Sequence, residues 1–151
     1  MFFKKSKAVN FLSAGEKKAL VFAIQNAEKK TSGEIRVFIE RKCSYVDPLD
    51  RAAELFYNLK MEQTLHRNGV LIYVAYKDRQ MAVCGDTGIH EKVGNEYWSK
   101  TVEGILNFFK EGNIFFGLQH GIEYLGSALV KHFPYHNEDK NELTDDIVFG
   151  D

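Results

Sequence analysis

Cysteine and proline are scarce in this chain, with 2 of each among 151 residues, and the scarcity excludes whole classes of protein. Cys43 and Cys84 form no C-x-x-C pair and no zinc-ligand spacing, so neither a disulfide framework nor a structural zinc site is expected. Both are read as free thiols, Cys84 as a buried one in an apolar strand. Neither sign of charge prevails. The formal net charge is -1, and no stripe of lysine and arginine stands out, which excludes a nucleic-acid partner. No run approaches the ~20 apolar residues of a membrane span. The opening "MFFKKSKAVNFLS" carries lysines with no apolar stretch behind them, so no signal peptide is expected and the chain is read as cytoplasmic. The G-x-x-x-x-G-K-[ST], G-x-G-x-x-G and G-x-S-x-G signatures are missing as well, which removes the common nucleotide sites and the serine-hydrolase elbow.

The composition that remains, 44% apolar and 27% charged, is that of a soluble globular chain long enough to bury one core. Its charge is unevenly placed. Residues 1–132 hold 19 basic and 15 acidic side chains, whereas residues 133–151 hold 1 basic and 6 acidic. The division suggests a single domain over 1–132 and an acidic C-terminal tail over 133–151. The tail is read as solvated, with Ile147-Val148-Phe149 as its one apolar group.

Helix and strand signals alternate along the domain. Ser13-Ala14-Gly15-Glu16 is a capping box, and Ala19, Leu20, Ala23, Ile24 and Ala27 follow on one helical face. "EIRVFIE" alternates Ile35, Val37 and Ile39 with charged or exposed positions and reads as a strand. Asp47 as N-cap with Pro48 behind it starts a second helix, expected to run to about Leu65. Val70 to Tyr76 is apolar throughout, the mark of a central strand covered on both sides. A turn at Lys77-Asp78-Arg79 returns it as a hairpin. "EKVGNEYWSKTVEGILNFFK" reads as a helix with Trp98, Val102, Ile105, Leu106 and Phe109 on its core side. A last helix carries Leu118, Ile122, Leu125 and Leu129 and closes near Pro134. The order predicts an α/β fold, a three-layer α/β/α sandwich around a small mixed β-sheet.

Chemistry is carried by acidic residues on loops. In "GDTG", residues 85–88, an aspartate stands between two glycines as the chain leaves a strand. A phosphate cradle needs converging backbone N–H groups and a cation, and a central carboxylate opposes it. Divalent cations suit the pattern better, because Ca²⁺ and Mg²⁺ take carboxylate and freed carbonyl oxygens. Asp86 and Asp47 are the chief candidate ligands, with Asp50, Asp78 and Glu91 behind them. Each has an ordinary alternative: Asp47 as a helix cap, Asp78 as a turn residue, Glu91 as a complement to a helix N-terminus. His66, His90, His120, His132 and His136 show no metal-binding spacing, and His90 alone shares the Asp86 loop. No nucleophile–base pair is visible.

At these residues the chain resembles a known family. "FLSAGEKKAL" and "AEKKTSGEIRVFIE", then "RAAELFYNLKMEQTLHRNGVLIYVAYKDRQMAVCGDTGI" and "FKEGNIFFGLQHGIEYL", are similar to the TPM domain family over residues 11–130. The most specific parts are the "NGVLI" entry to the central strand, the "DR" turn and the glycine after the next strand. The resemblance implies an α/β/α sandwich and, in some members, divalent cations held by acidic residues where two long loops cross. Those loops correspond here to residues 41–47 and 85–91, so one or two divalent cations (Ca or Mg) per chain are expected between them. Thylakoid-lumen members are linked to photosystem II repair, and plant members are described as acid phosphatases. Against that pattern, this chain is expected to lack a signal peptide and a membrane anchor and to add an acidic tail. The function expected is a metal-responsive regulatory or interaction module with an unidentified protein partner. The alternative is a metal-dependent acid-phosphatase-like hydrolase, a metal-assisted phosphomonoesterase.

Overall fold

The computed structural model describes residues 12–135 and 147–150. Helix α1 (Ala14–Glu28) starts at the capping box. The Glu16 amide donates to Ser13 Oγ at 3.0 Å, and the Ser13 amide donates to Glu16 Oε1 at 2.9 Å. Strand β1 (Glu34–Glu40) follows and is buried at all seven positions. Its charged residues do not face solvent, as the alternation had suggested, because a helix covers that side too.

That helix is α2 (Pro48–Asn58). Asp47 caps it, Oδ1 accepting from the Leu49 amide at 2.9 Å, and it stops well short of Leu65. Lys60 takes a left-handed φ of 59°, which ends the helical path, and Met61 turns inward to full burial. Strand β2 (Gly69–Ala75) is buried along its whole length, as an apolar central strand requires. Strand β3 (Gln80–Gly85) returns beside it after a turn in which Arg79 has φ 53°.

Helix α3 (Thr87–Lys110) begins four residues before the expected Glu91, with Asp86 as its cap, and is broken at Gly94, φ 79°. Helix α4 (Ile114–His132) follows. Thr31 fastens its end, the hydroxyl donating to the Leu129 carbonyl oxygen at 3.0 Å.

The described strands form one sheet in the order β3-β2-β1-β4, β4 being Ile147–Phe149. β1 runs parallel to β2 and to β4, and β2 antiparallel to β3. One face, with Ile35, Val37, Ile39, Ile72 and Val83, packs under α1, α3 and α4. The other, with Phe38, Leu71, Tyr73 and Ala82, packs under Ala52, Leu55 and Phe56 of α2 and under Met61 just beyond it. The three-layer α/β/α sandwich on a mixed sheet is therefore the fold. Among the described residues no helix is long and apolar enough to cross a membrane.

The end of the tail differs from the expectation of a solvated segment. Ile147, Val148 and Phe149 pair in register with Val37, Phe38 and Ile39, and the Gly150 amide donates to the Ile39 carbonyl oxygen at 2.7 Å. The physical reason lies in β1. Without β4 its outer edge would present a row of unpaired backbone groups beside a buried apolar face.

Candidate functional site at the two loop junctions

Strand register fixes where the candidate carboxylates sit. Glu34 faces Gly69, and Val70 faces Gly85, at one end of the sheet; Glu40 faces Ala75, which faces Gln80, at the other. Seven residues of strand separate the ends by roughly 20 Å. The 41–47 and 85–91 loops therefore leave opposite ends of the sheet, and the expected crossing of these two loops is corrected on that ground. What meets the 41–47 loop is the β2–β3 turn.

At the Asp86 end the carboxylate is buried, with only 4% of its side chain exposed, and it is fully engaged. Arg67 Nε donates to Oδ2 at 2.7 Å and Nη2 to Oδ1 at 2.8 Å, a bidentate pair. Oδ1 also caps α3, accepting from the Thr87 amide at 2.7 Å. The next amides are satisfied by backbone. Gly88 and Ile89 donate to the Arg67 carbonyl oxygen at 2.8 and 3.3 Å, and His90 to that of Asp86 at 2.9 Å. The Asp86 amide itself donates to the Gly69 carbonyl oxygen at 3.0 Å, so the four amides left over at this helix start, Asp86 to Ile89, all have internal acceptors; "GDTG" offers no phosphate cradle, and both Asp86 oxygens already face a cation. The carboxylate in turn raises the Arg67 guanidinium further above its ordinary value. His90 accepts from the Trp98 indole N–H on Nδ1 at 2.9 Å, and Glu91 is exposed on α3.

At the other end the 41–47 loop is stitched to the turn. Tyr76 and Lys77 amides donate to the Glu40 and Arg41 carbonyl oxygens at 3.1 and 2.9 Å, and the Cys43 amide donates to Asp78 Oδ2 at 2.7 Å. Asp78 thus joins two loops rather than merely filling a turn. Asp47, Asp50 and Asp78 are all exposed. Among the described residues no three His, Cys, Asp or Glu side chains gather into a group that could hold a metal ion. A closed oxygen cage for Ca²⁺ does not fit this donor set. Scattered exposed carboxylates suit a hydrated ion that keeps most of its waters, as Mg²⁺ does.

Beneath this crossing lies a buried polar network that reading the sequence missed. Glu40, at the end of β1, receives Arg51 Nε at 2.9 Å and Nη2 at 3.1 Å and the Tyr73 hydroxyl. Arg51 also pairs with Glu54, which accepts from the Tyr45 hydroxyl. Burial, then hydrogen bonding to Glu40 and Cys43, pushes the Tyr73 phenol up, while Glu40 raises Arg51. The only available signal was a glutamate at the end of a strand and an arginine one helical turn past Asp47-Pro48, too common to single out. The network holds no free base beside a nucleophile, since the Cys43 thiol donates to the Tyr45 carbonyl oxygen at 3.5 Å. Cys84 is also a free thiol, and burial holds it up to about 11.

Next to the crossing, a groove of about 470 Å³ runs along β3 between the start of α2 and α3. Asp47, Pro48 and Leu49 form one wall, Trp98, Val102 and Leu106 the other, and Met81 to Val83 the floor. Leu49 in the first wall is 47% exposed, and Val46, one residue before that wall, is 99% exposed.

The class of protein these features define is an α/β/α sandwich with polar junctions at both sheet ends and an apolar groove along β3. The chain belongs to the TPM domain family, whose model matches residues 6–128. It is similar to the BA42 protein of the psychrophilic bacterium Bizionia argentinensis, solved by NMR, with 49% identity, 93% of this chain and 96% of that one covered, and a TM-score of 0.85. The N-terminal domain of a protein from P. gingivalis, also solved by NMR, shares the fold at 17% identity and TM-score 0.68, over 84% of this chain and 83% of that one. The N-terminal domain of cg2496 from Corynebacterium glutamicum does so at 12% and 0.57, over 88% and 80%. No curated protein matches the chain.

Proposed function

We propose that this TPM domain is a non-catalytic interaction module whose groove takes apolar side chains of a protein partner and whose groove wall responds to a divalent cation. One observation carries the reading: Asp47-Pro48-Leu49 is both a wall of the β3 groove and the end of the loop that Asp78 ties down through the Cys43 amide. A hydrated ion such as Mg²⁺, drawn through its own waters to the exposed Asp47, Asp50 or Asp78 rather than caged by all three, would offset negative charge at this loop and set the position of that wall. Asp86 takes no part, because Arg67 engages both its oxygens. A cytoplasmic setting accords with the two free thiols.

Amide spectra recorded through a Mg²⁺ or Ca²⁺ titration test the reading. Shifts are expected in residues 41–50 and 76–79 and are lost in Asp78→Asn, with no phosphomonoester turnover at any ion concentration. Turnover that requires the ion and disappears in Asp78→Asn, in a protein still folded, would favour the hydrolase instead.

A further inference from the structure

The Arg67–Asp86 pair carries an inference that stands apart from the proposed function. Its geometry is costly to build. Arg67 adopts φ 51°, in the left-handed region that favours glycine. A Cβ on Gly88 would run into the carbonyl oxygens of His66 and Arg67, so only glycine lets the start of α3 press against the 66–68 loop. That close approach gives Arg67 two jobs at once. Its carbonyl oxygen receives the Gly88 and Ile89 amides, and its guanidinium covers both oxygens of the buried Asp86.

We infer that Arg67 is the built-in cation of this junction, supplying from within the chain the charge that an acidic loop between two glycines would otherwise take from a divalent ion. A planar fork and a metal ion compete for the same carboxylate oxygens, and the fork is tethered, so its effective concentration is far above that of a free ion. The β3–α3 junction is therefore independent of metal. Removing the guanidinium converts it into an ion-dependent one, because the buried Asp86 carboxylate is then left without a counter-charge.

The test compares the full chain with Arg67→Gln, Asp86→Asn and the double variant by thermal melting, with and without millimolar MgCl₂ or CaCl₂ at constant ionic strength. The ion-induced rise in Tm is expected to be the same in the wild type and Asp86→Asn, larger in Arg67→Gln, and back to the wild-type value in the double variant, which also melts above Arg67→Gln. Should Arg67→Gln not fold, the wild type alone decides through its nitrogen-15 spectrum. The Arg67 Nε–H resonance and the Asp86, Thr87 and Gly88 amides should stay in place as ion is added. Movement of those amides with loss of the Arg67 signal overturns the inference, as does an Arg67→Gln variant whose melting and ion response match the wild type.

Discussion

Replacing Phe149 by alanine asks whether the end of the acidic tail belongs to the fold. In the structure the ring is half-buried against the face formed with α1, lies 5.5 Å from Lys17 Nζ, and sits on a residue paired with Ile39. A fully buried Phe→Ala change costs about 3–5 kcal/mol. Half burial brings this to about 1.5–2.5 kcal/mol, and the half-exposed lysine contact adds about 0.5 kcal/mol. For a domain of this size each kcal/mol moves Tm by about 2–4 °C, so a fall of roughly 4–12 °C is expected. Differential scanning calorimetry with matched urea denaturation measures it. A solvated tail predicts a change within about 0.5 kcal/mol, the usual result for a surface site. An unchanged Tm and urea midpoint would therefore refute the packing of β4 against β1.

Two further expectations concern the interior. Tyr73→Phe removes a donor from the buried Glu40 carboxylate and should cost about 1.5–2 kcal/mol by chemical denaturation. Tyr45→Phe, at the exposed outer end of the network, should leave stability unaltered, and equal effects would show that burial does not govern the network. Cys84, held up to about 11 by burial, carries about a thousandth of its thiolate at pH 8. Iodoacetamide should then modify Cys43 first. Cys84 is half-buried rather than buried; its labelling should speed up about tenfold per pH unit toward pH 11, and rapid labelling at pH 8 would contradict a thiol held that high.

How much of this was legible in the sequence depends on the range over which each signal acts. The Ser13–Glu16 box, the Asp47-Pro48 start and the apolar 70–76 strand are local signals and stand where they were read. Lys60 ended α2 early because a left-handed lysine leaves no mark in composition. β1 was read as half-exposed because Glu34, Arg36 and Glu40 are charged, yet all three are buried, Glu40 under Arg51 of α2, and only the fold places that helix there. The site suffered most. Arg67 and Asp86 are 19 residues apart, and nothing in either neighbourhood announces a bidentate pair. Asp86 therefore looked like an uncompensated charge asking for a metal. Asp78 looked like an ordinary turn residue, whereas its partner, the Cys43 amide, lies 35 residues away. The loops taken to cross were assigned before strand register could show that they leave opposite ends of the sheet.

Paramagnetic broadening by Mn²⁺ is the most direct measurement of where a divalent cation meets this protein. At substoichiometric Mn²⁺, amides nearest the ion broaden first. The proposed function predicts that loss of signal centres on Cys43, Asp47, Asp50 and Asp78, spreads to Leu49 in the groove wall, and leaves Asp86 to Gly88 sharp. Broadening that instead centres on Asp86 and Thr87, with Asp78 unaffected, would contradict both the placement of the ion and the role given to Arg67.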